Sequence, residues 1–246
     1  MRHALVVLSF LLTACSSVSQ KPSAEAVRDL APSGTPEPSG ISVDLARELG
    51  KRLGVPVQLI VFDAAGKVVD AGRSGAWDIA FVALDPKRAA EINQSPPYVQ
   101  IEGSYLVRND SPLKSNDEVD RKGHRVVVGR NSAYDLYLSR ELKQAELVRT
   151  PTSNLVVDTM LKENYEVSAG VKQALMNDAQ RIPGVRLLPG RFMVINQAMA
   201  SQKGKEAGAK YLREFVEEMK SSGFVAKAIE RHQQPSAVVA PPGDPK

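Results

Sequence analysis

The feature that most constrains the fold is a regular alternation of short apolar segments with amphipathic ones. Residues 56–62 (PVQLIVF) and 77–83 (WDIAFVA) are rich in β-branched and aromatic residues, which predicts buried strands. Residues 42–54 carry apolar side chains at helical spacing, and Gly54 is placed to end that helix. Repeated strand–helix units predict an α/β protein with open, mostly parallel sheets and helices on both faces.

Two long extended segments divide this alternation. Residues 98–108 and 191–200 are each predicted to be extended, and further strand–helix units lie between them. Two such segments suggest two lobes joined by two crossings. Ligands in open α/β sheets bind at the carboxyl ends of strands. We therefore expect a site between the lobes that closes by hinge motion.

The N-terminal pattern is typical of an exported bacterial protein. A basic start is followed by the apolar run 4–12, which is too short to span a bilayer. The run ends in Leu-Thr-Ala-Cys15, which resembles the lipobox, where the cysteine is acylated and becomes the first residue of the mature chain. A plain signal peptide with an incidental cysteine is the alternative. A lipobox implies anchoring by lipid on the periplasmic side, and Ser16 after the cysteine favours the outer membrane in a Gram-negative cell.

Composition excludes several other classes. With 43% apolar and 24% charged residues, the chain is globular rather than disordered. Cys15 is the only cysteine and the three histidines are far apart, so a Cys/His zinc site is not expected. The net charge of +4 arises from 32 basic and 28 acidic residues that are interspersed, so no nucleic-acid partner is indicated. No cofactor is expected.

Five stretches carry a family resemblance, and they lie within about residues 30–232. They are SGISVDLARELGKRLGVPVQLI, WDIAFVALDPKRAAEINQSPPY, NSAYDLYLSRELKQAELVR, AGVKQAL and GRFMVINQAMASQKGKEAGAKYLREFVEEM. Together they resemble the family 3 periplasmic solute-binding proteins, the amino-acid-binding receptors of ABC importers. The resemblance implies a two-lobed periplasmic binding protein-like fold, a monomer, no catalytic residues, and delivery of a small ligand to ABC permease subunits.

The resemblance also implies a ligand-binding residue in lobe 1. Arg88 occupies the position of the family arginine that holds a ligand carboxylate, and a guanidinium pairs with a carboxylate through two parallel hydrogen bonds. The alternative is a surface arginine paired with Glu91. Phe81, Val82 and Ala83 stand where the family has small hydroxyl residues, which predicts an apolar wall in lobe 1.

In lobe 2 the resemblance points to the turn that opens a helix. In the family this turn donates a hydroxyl and backbone N–H groups to the same carboxylate, and helix N-termini favour anions. A simple N-cap explains the same residues equally well. The residues of this turn are Asn131, Ser132, Ala133 and Tyr134.

Lys172 and Gln173 follow the strand after which amino-acid receptors of the family place an aspartate for the ligand's ammonium group. Replacement of that aspartate by a lysine predicts a small anionic ligand, unless Lys172 faces solvent. Asp85 and Asp135 leave open a dehydratase-like enzyme on the same scaffold. A degenerate family member without ligand binding is the other alternative.

An absence in lobe 1 is the main departure from the family. Members run from a Leu-Ala-Pro-x-Gly stretch into a first strand and a loop, whereas here residues 30–35 continue directly into 36–40. About 15–20 residues are missing, the size of one strand and a loop. The prolines and glycines of residues 30–40 exclude a strand there. We predict that lobe 1 lacks its first strand, so that its neighbours re-pair or keep open edges.

These segments give the expected organisation of the chain. We assign residues 1–14 to a signal peptide, 15–29 to a lipidated tether, 30–107 to the first part of lobe 1, 108–190 to lobe 2, 191–232 to the returning hinge strand and closing helices of lobe 1, and 233–246 to a disordered tail.

Overall fold

The structure, a computed structural model, describes residues 5–9 and 37–243. Two single 3₁₀ turns, Asn116–Glu118 and Ser153–Leu155, accompany the regular elements. The strands are β1 (Leu5–Ser9), β2 (Gln58–Phe62), β3 (Ile79–Ala83), β4 (Ile92–Arg108), β5 (Arg125–Gly129), β6 (Glu146–Thr150), β7 (Val167–Val171), β8 (Val185–Leu187), β9 (Met193–Gln202) and β10 (Val238–Val239). The helices are α1 (Ile41–Leu53), α2 (Ala65–Arg73), α3 (Pro86–Ala89), α4 (Ala133–Glu141), α5 (Val156–Lys162), α6 (Lys172–Arg181), α7 (Glu206–Ser221) and α8 (Phe224–Arg231).

One mixed sheet runs through the described chain in the order β2-β1-β3-β9-β4-β7-β5-β6, with β8 and β10 also paired to β4. The long strands β4 and β9 pair antiparallel from Ile92 and Gln202 to Gly103 and Met193, and they carry the chain from one lobe to the other and back. These are the two predicted crossings. The predicted fold class, a two-lobed α/β protein with helices flanking the sheet, is confirmed.

The two lobes differ in strand direction. In lobe 2, β5 runs parallel to both β6 and β7, as predicted for strand–helix units. In lobe 1, β1 runs antiparallel to both β2 and β3. Since β2 and β3 each oppose β1, they point in the same direction as each other but have no pairing between them among the described residues.

The position of the missing first strand is occupied by an N-terminal segment. The sequence predicts residues 1–14 as a cleaved leader, yet Leu5–Ser9 lies as β1 between β2 and β3. Its residues Leu5-Val-Val-Leu-Ser are apolar and β-branched enough to form a central strand. Neither predicted outcome, re-pairing of β2 with β3 or open edges on both strands, is present, because β1 pairs with both. Cys15 and Ser16 lie outside the described residues.

Apolar side chains at helical spacing build the core of lobe 1. Leu45, Ala46 and Leu49 of α1 are fully buried. As predicted, Gly54 ends the helix, with a left-handed φ of 65° and its amide bonded to the last carbonyls. Trp77 is also buried, and its Nε1 donates to a backbone carbonyl at 2.7 Å, so it fills core as expected.

The part of the C-terminal tail that the structure describes, residues 233–243, packs on the body, although its prolines suggest disorder. Val238 and Val239 form β10, which pairs antiparallel with β4. Ala237 and Ala240 are buried, and the Lys220 Nζ donates to the carbonyl of Pro241 at 2.8 Å. The tail therefore belongs to the folded body, since tertiary pairing outweighs its local composition.

Candidate ligand-binding site between the lobes

The turn after β3 fixes the position of Arg88. β3 ends at Ala83, and the Asp85 carboxylate caps the short helix α3 by accepting the amide of Lys87 at 2.9 Å. Pro86 stands at the first helical position, where its missing N–H costs nothing. The turn brings Arg88 back over the end of its own strand, where Nη1 donates to the carbonyl of Ala83 at 2.9 Å. Local sequence thus places this guanidinium at the carboxyl edge of the sheet.

Arg88 is a buried cation at the junction of the lobes. Its side chain is 3% exposed, and Nη2 donates to the carbonyl of Asn131 in lobe 2 at 2.9 Å. Among the described residues, no carboxylate lies within ion-pairing distance of its guanidinium. Burial lowers the pKa of Arg88 to about 10, against the raising effect of the nearby Asp85 charge. The alternative, a surface arginine paired with Glu91, does not fit, because Arg88 is buried and both of its Nη groups donate to backbone carbonyls, while Glu91 pairs with Arg73 at 2.6 Å.

The lobe 2 turn has the predicted cap geometry. The Ser132 hydroxyl accepts the amide of Asp135 at 3.0 Å, and α4 then begins at Ala133. Asn131 has a left-handed φ of 56°, and its amide donates to the Asp135 carboxylate at 2.7 Å. Tyr134 is buried, and burial raises the pKa of its hydroxyl. The Ser132 hydroxyl and the Asn131 amide are therefore already engaged within the turn.

Asp135 is an anion resident in the first turn of α4. It is 2% exposed, and its carboxylate accepts hydrogen bonds from the Arg149 Nε at 2.9 Å and from the Ser139 hydroxyl at 3.3 Å. A carboxylate is stabilised by the helix dipole at this end. Asp135 therefore holds the turn in place, and its ion pair with Arg149 leaves it no free role as a base.

The lobes are closed directly on one another. Arg140 of lobe 2 pairs with Asp85 of lobe 1 at 2.9 Å, and the Asp85 side chain is 3% exposed. A Cβ built on Gly66 of α2 would lie 2.7 Å from the Cβ of Asn131, so the lobe 1 backbone touches the lobe 2 turn. Ala83 packs with the apolar core of lobe 2. Protein atoms therefore fill the junction around Arg88.

The predicted apolar wall contributes one residue to this junction. Phe81 packs in the core of lobe 1, edge-on to Tyr98 with ring centroids 6.0 Å apart. Val82 packs with the cluster on the opposite face of the sheet. Of the three residues, Ala83 alone reaches lobe 2, because β3 is buried on both faces and its other side chains serve lobe 1.

Lys172 and Gln173 are not in contact with Arg88. The Lys172 Nζ donates to the Glu102 carboxylate of the hinge strand β4 at 2.6 Å, and Arg191 pairs with the same carboxylate at 2.8 Å. The Gln173 side chain accepts the hydroxyl of Ser236 from the tail at 3.1 Å. Sequence reasoning missed Glu102, although an acidic residue in the middle of a strand whose one other charged residue is the terminal Arg108 was a usable signal.

A separate cavity of about 510 Å³ lies in lobe 2 and contains none of the predicted site residues. Its wall includes Tyr105 and Phe192, which are stacked with ring centroids 4.3 Å apart. The lining acid Asp120 already accepts three backbone amides, which suggests a structural role. Among the described residues, no cluster of three His, Cys, Asp or Glu side chains fits a metal ion.

Comparison with known proteins places this geometry in context. The model of the bacterial extracellular solute-binding proteins, family 3, matches residues 28–235. The chain is 26% identical over 126 residues to membrane-bound lytic murein transglycosylase F of Aeromonas hydrophila; the match covers 50% of this chain and 25% of that protein. The chain thus spans about a quarter of the length of that relative.

Solved structures with the same fold include amino-acid receptors and a histidine kinase sensor domain. The substrate-binding protein of an amino acid ABC transporter aligns with a TM-score of 0.70 at 18% identity, over 82% of this chain and 90% of that one. The solute receptor for L-cysteine of Neisseria gonorrhoeae aligns with a TM-score of 0.69 at 21% identity, over 80% and 82% of the two chains. At these identities the likeness establishes the fold alone.

Proposed function

Because the chain belongs to the bacterial extracellular solute-binding proteins of family 3, we propose that it captures a small carboxylate between its lobes and delivers it to an ABC permease. The observation that carries the choice of ligand is Arg88. This guanidinium is buried at the lobe junction and is satisfied by two backbone carbonyls rather than by a carboxylate. A buried charge without a counter-charge is costly, and a ligand carboxylate would supply that charge.

Binding would proceed through an opened form. Opening breaks two cross-lobe contacts, that of Arg88 with the Asn131 carbonyl and that of Asp85 with Arg140. Opening frees Nη2 for an entering carboxylate, while Nη1 keeps its bond to the Ala83 carbonyl within lobe 1, and closure sequesters the new pair from water. A carboxylate provides the same type of acceptor atom as the Asn131 carbonyl that it replaces, with a full negative charge added.

The acidic groups near the hinge favour a ligand without an ammonium group. Asp85 is paired with Arg140, and Glu102 is paired with both Lys172 and Arg191. In the closed form each is neutralised by this chain's own cations, so neither is left over to balance a positive ligand charge once the lobes have closed. The related receptor for L-cysteine takes an amino acid, whereas we expect this chain to prefer plain carboxylates.

Ion pairing of the candidate catalytic carboxylates also favours binding over catalysis. A general base must be free to reach the proton that it removes. The two carboxylates that would serve a dehydratase-like reaction, Asp85 and Asp135, are each held by an arginine at 2.9 Å. We therefore propose a receptor, with no catalytic residue, that needs no cofactor and acts as a monomer.

We also propose that the protein works from a membrane-bound position outside the cytoplasm. The support is the Leu-Thr-Ala-Cys15 sequence, with Ser16 favouring the outer membrane. Within the described residues, no helix is long and apolar enough to cross a membrane. Labelling with a palmitate analogue tests the anchor: the wild-type chain should be labelled and Cys15→Ser should not, and equal labelling of both would refute acylation.

A thermal-shift screen tests the ligand class. Small carboxylates, their amides, the corresponding α-amino acids and amines are compared at equal concentration. A ligand present at a hundredfold over its Kd adds ~2.7 kcal/mol of stability, enough to raise Tm by about 5 °C. We expect the carboxylates to give the shift and the amides to give none. Shifts by amines alone, or by no compound, would overturn the proposal.

A further inference from the structure

The sheet of lobe 1 contains a slot for one strand, which we call the strand slot and define as the space between the facing edges of β2 and β3. β1 fills it by antiparallel pairing on both sides. The register joins Val7 to Ile60 of β2 and to Ala80 of β3. β2 and β3 must therefore lie about 9–10 Å apart, two strand spacings.

Both faces of the strand slot are covered and apolar. α1 and α2 each lie against β1. Leu59 of β2 packs with the lobe 1 core on the face of α1. Ile60 and Phe62 pack with the cluster on the other face, which includes the buried Val68 of α2. A strand that enters this space must carry apolar residues on both sides, like a central strand of a parallel α/β sheet.

Closing the slot by bringing β2 against β3 would disturb the contacts that join α1 to the rest of lobe 1. Asp44 of α1 pairs with Arg231 at 2.7 Å and with His232 at 2.9 Å. Arg52 at the other end of α1 pairs with Glu218 of α7 at 2.6 Å. Narrowing the sheet would pull the apolar face of α1 away from these anchors.

From these observations we propose that the processed chain offers the strand slot to an apolar segment of another polypeptide. This inference rests on the proposed removal of residues 1–14, which takes β1 away. Open edges on β2 and β3 then present unpaired backbone N–H and C=O groups, each costing about 1–3 kcal/mol if buried. Residues 16–36, which include the tether and the start of lobe 1, contain no run of five apolar residues to replace β1. The expected partner supplies an extended apolar stretch of about five residues, by strand addition.

Site-directed disulfide formation tests the slot. The chain is purified from cell membranes after processing, and intact mass first reports whether residues 1–14 are absent. The probe is a peptide of residues 4–11 with Val7→Cys, offered to the protein variant Ile60→Cys. The matched control is Val148→Cys on β6, the edge strand at the other end of the sheet. A second peptide carries Val6→Pro and Leu8→Pro in addition, which removes ladder N–H groups.

We expect the first peptide to couple to Ile60→Cys at least fivefold faster than to Val148→Cys, and the proline peptide to lose this preference. Equal coupling at the two edges would mean non-specific strand addition and would overturn the proposal. So would disulfide dimers of Ile60→Cys that form without peptide, since a second copy would then be the occupant. A purified chain that retains residues 1–14 would show instead that the chain fills its own slot. That result would overturn this inference and the proposed cleavage, but it would leave the proposed ligand binding untouched.

Discussion

The two lobes differ in the origin and the direction of the strand at the middle of their part of the sheet. In lobe 2, β5, β6 and β7 come from one continuous stretch, and β5 lies parallel to both neighbours. In lobe 1, the strand between β2 and β3 comes from the far N-terminus and runs antiparallel to both. The middle strand of lobe 2 is thus supplied locally, whereas that of lobe 1 depends on a distant segment.

The difference implies that the two lobes depend on different parts of the chain for their stability. Lobe 2 contains within residues 125–171 every strand that its parallel pairings need. Lobe 1 has an apolar core around α1, α7 and α8. Its strand β2, however, pairs with β1, which lies in the segment that the sequence predicts to be cleaved off. We expect lobe 2 to behave as the self-sufficient unit and lobe 1 as the conditional one.

Removal of β1 should have the largest effect, and it tests whether lobe 1 depends on this strand while lobe 2 does not. Hydrogen exchange is measured on the full chain, carrying Cys15→Ser and made without export so that its leader is kept, and on the processed chain. Loss of the ladder should speed exchange in β2 and β3 at least about 100-fold, or ~2.8 kcal/mol, because several hydrogen bonds are lost together. Peptides from β5 and β7 should be unchanged. Equal protection of lobe 1 in both forms would contradict its dependence on β1.

The next effect concerns the stability of lobe 2. Asp135→Ala removes a carboxylate that is 3% exposed and leaves Arg149 and the Asn131 amide without their partner. We expect unfolding in urea to be easier by ~3 kcal/mol, since breaking a buried pair exposes an uncompensated charge. Asp178→Ala, which breaks an exposed pair with Arg181, is the control and should cost under ~0.5 kcal/mol. Similar losses for both variants would show that the lobe 2 turn is not held by Asp135.

A smaller effect is expected from the ion pair that joins the two lobes. Arg140→Ala leaves the buried Asp85 carboxylate at the junction without its ion-pair partner. We expect the free energy of unfolding to fall by ~1–2 kcal/mol, a moderate loss because Arg140 itself is half-exposed. The opened form should gain population, which small-angle scattering would report as a larger radius of gyration. Arg73→Ala breaks an ion pair within lobe 1 and should leave the radius unchanged. An unaltered radius for Arg140→Ala would mean that this pair does not hold the lobes together.

The smallest effect lies at the hinge and depends on pH. Hydrogen bonds from Lys172 and then Arg191 lower the pKa of Glu102 from its usual 4.5. A carboxyl group with a lowered folded pKa stabilises the protein above the unfolded value, and the contribution is lost as the pH falls through the folded value. Glu102→Gln should therefore cost ~0.5–1 kcal/mol at neutral pH and approach the wild type below pH 4.5. A Tm difference that stays constant from pH 7 to pH 3 would argue against this ion pair.

Local sequence signals predicted much of the fold. The stop at Gly54 and the cap at Ser132 both depend on residues within one or two turns, and the structure has both. The burial of Trp77 followed from its place beside an apolar strand. Each of these features is decided by neighbours in sequence, which is why a single chain reveals them.

Contacts between residues far apart in the chain could not be predicted from the sequence. Asp85 and Arg140 form the cross-lobe pair although they are far apart in sequence, and Glu102 meets Lys172 across 70 positions. β4 was expected to begin at residue 98 but begins at Ile92, because its two prolines are accommodated at register shifts. Composition alone could not reveal where the chain pairs with itself.

The central claim concerns the junction where the lobes meet, namely that Arg88 exchanges the backbone carbonyl of Asn131 for a ligand carboxylate. Calorimetry with the carboxylate that gives the largest thermal shift tests it on Arg88→Ala and on Arg186→Ala. Arg186 is the matched control, because its Nη2 also donates to two backbone carbonyls, at 3.0 and 2.7 Å, but within lobe 2. We predict that Arg88→Ala weakens binding by about 2–5 kcal/mol and that Arg186→Ala leaves it within about twofold, or ~0.4 kcal/mol. A loss of less than about tenfold for Arg88→Ala, or equal losses for the two variants, would place Arg88 outside the site.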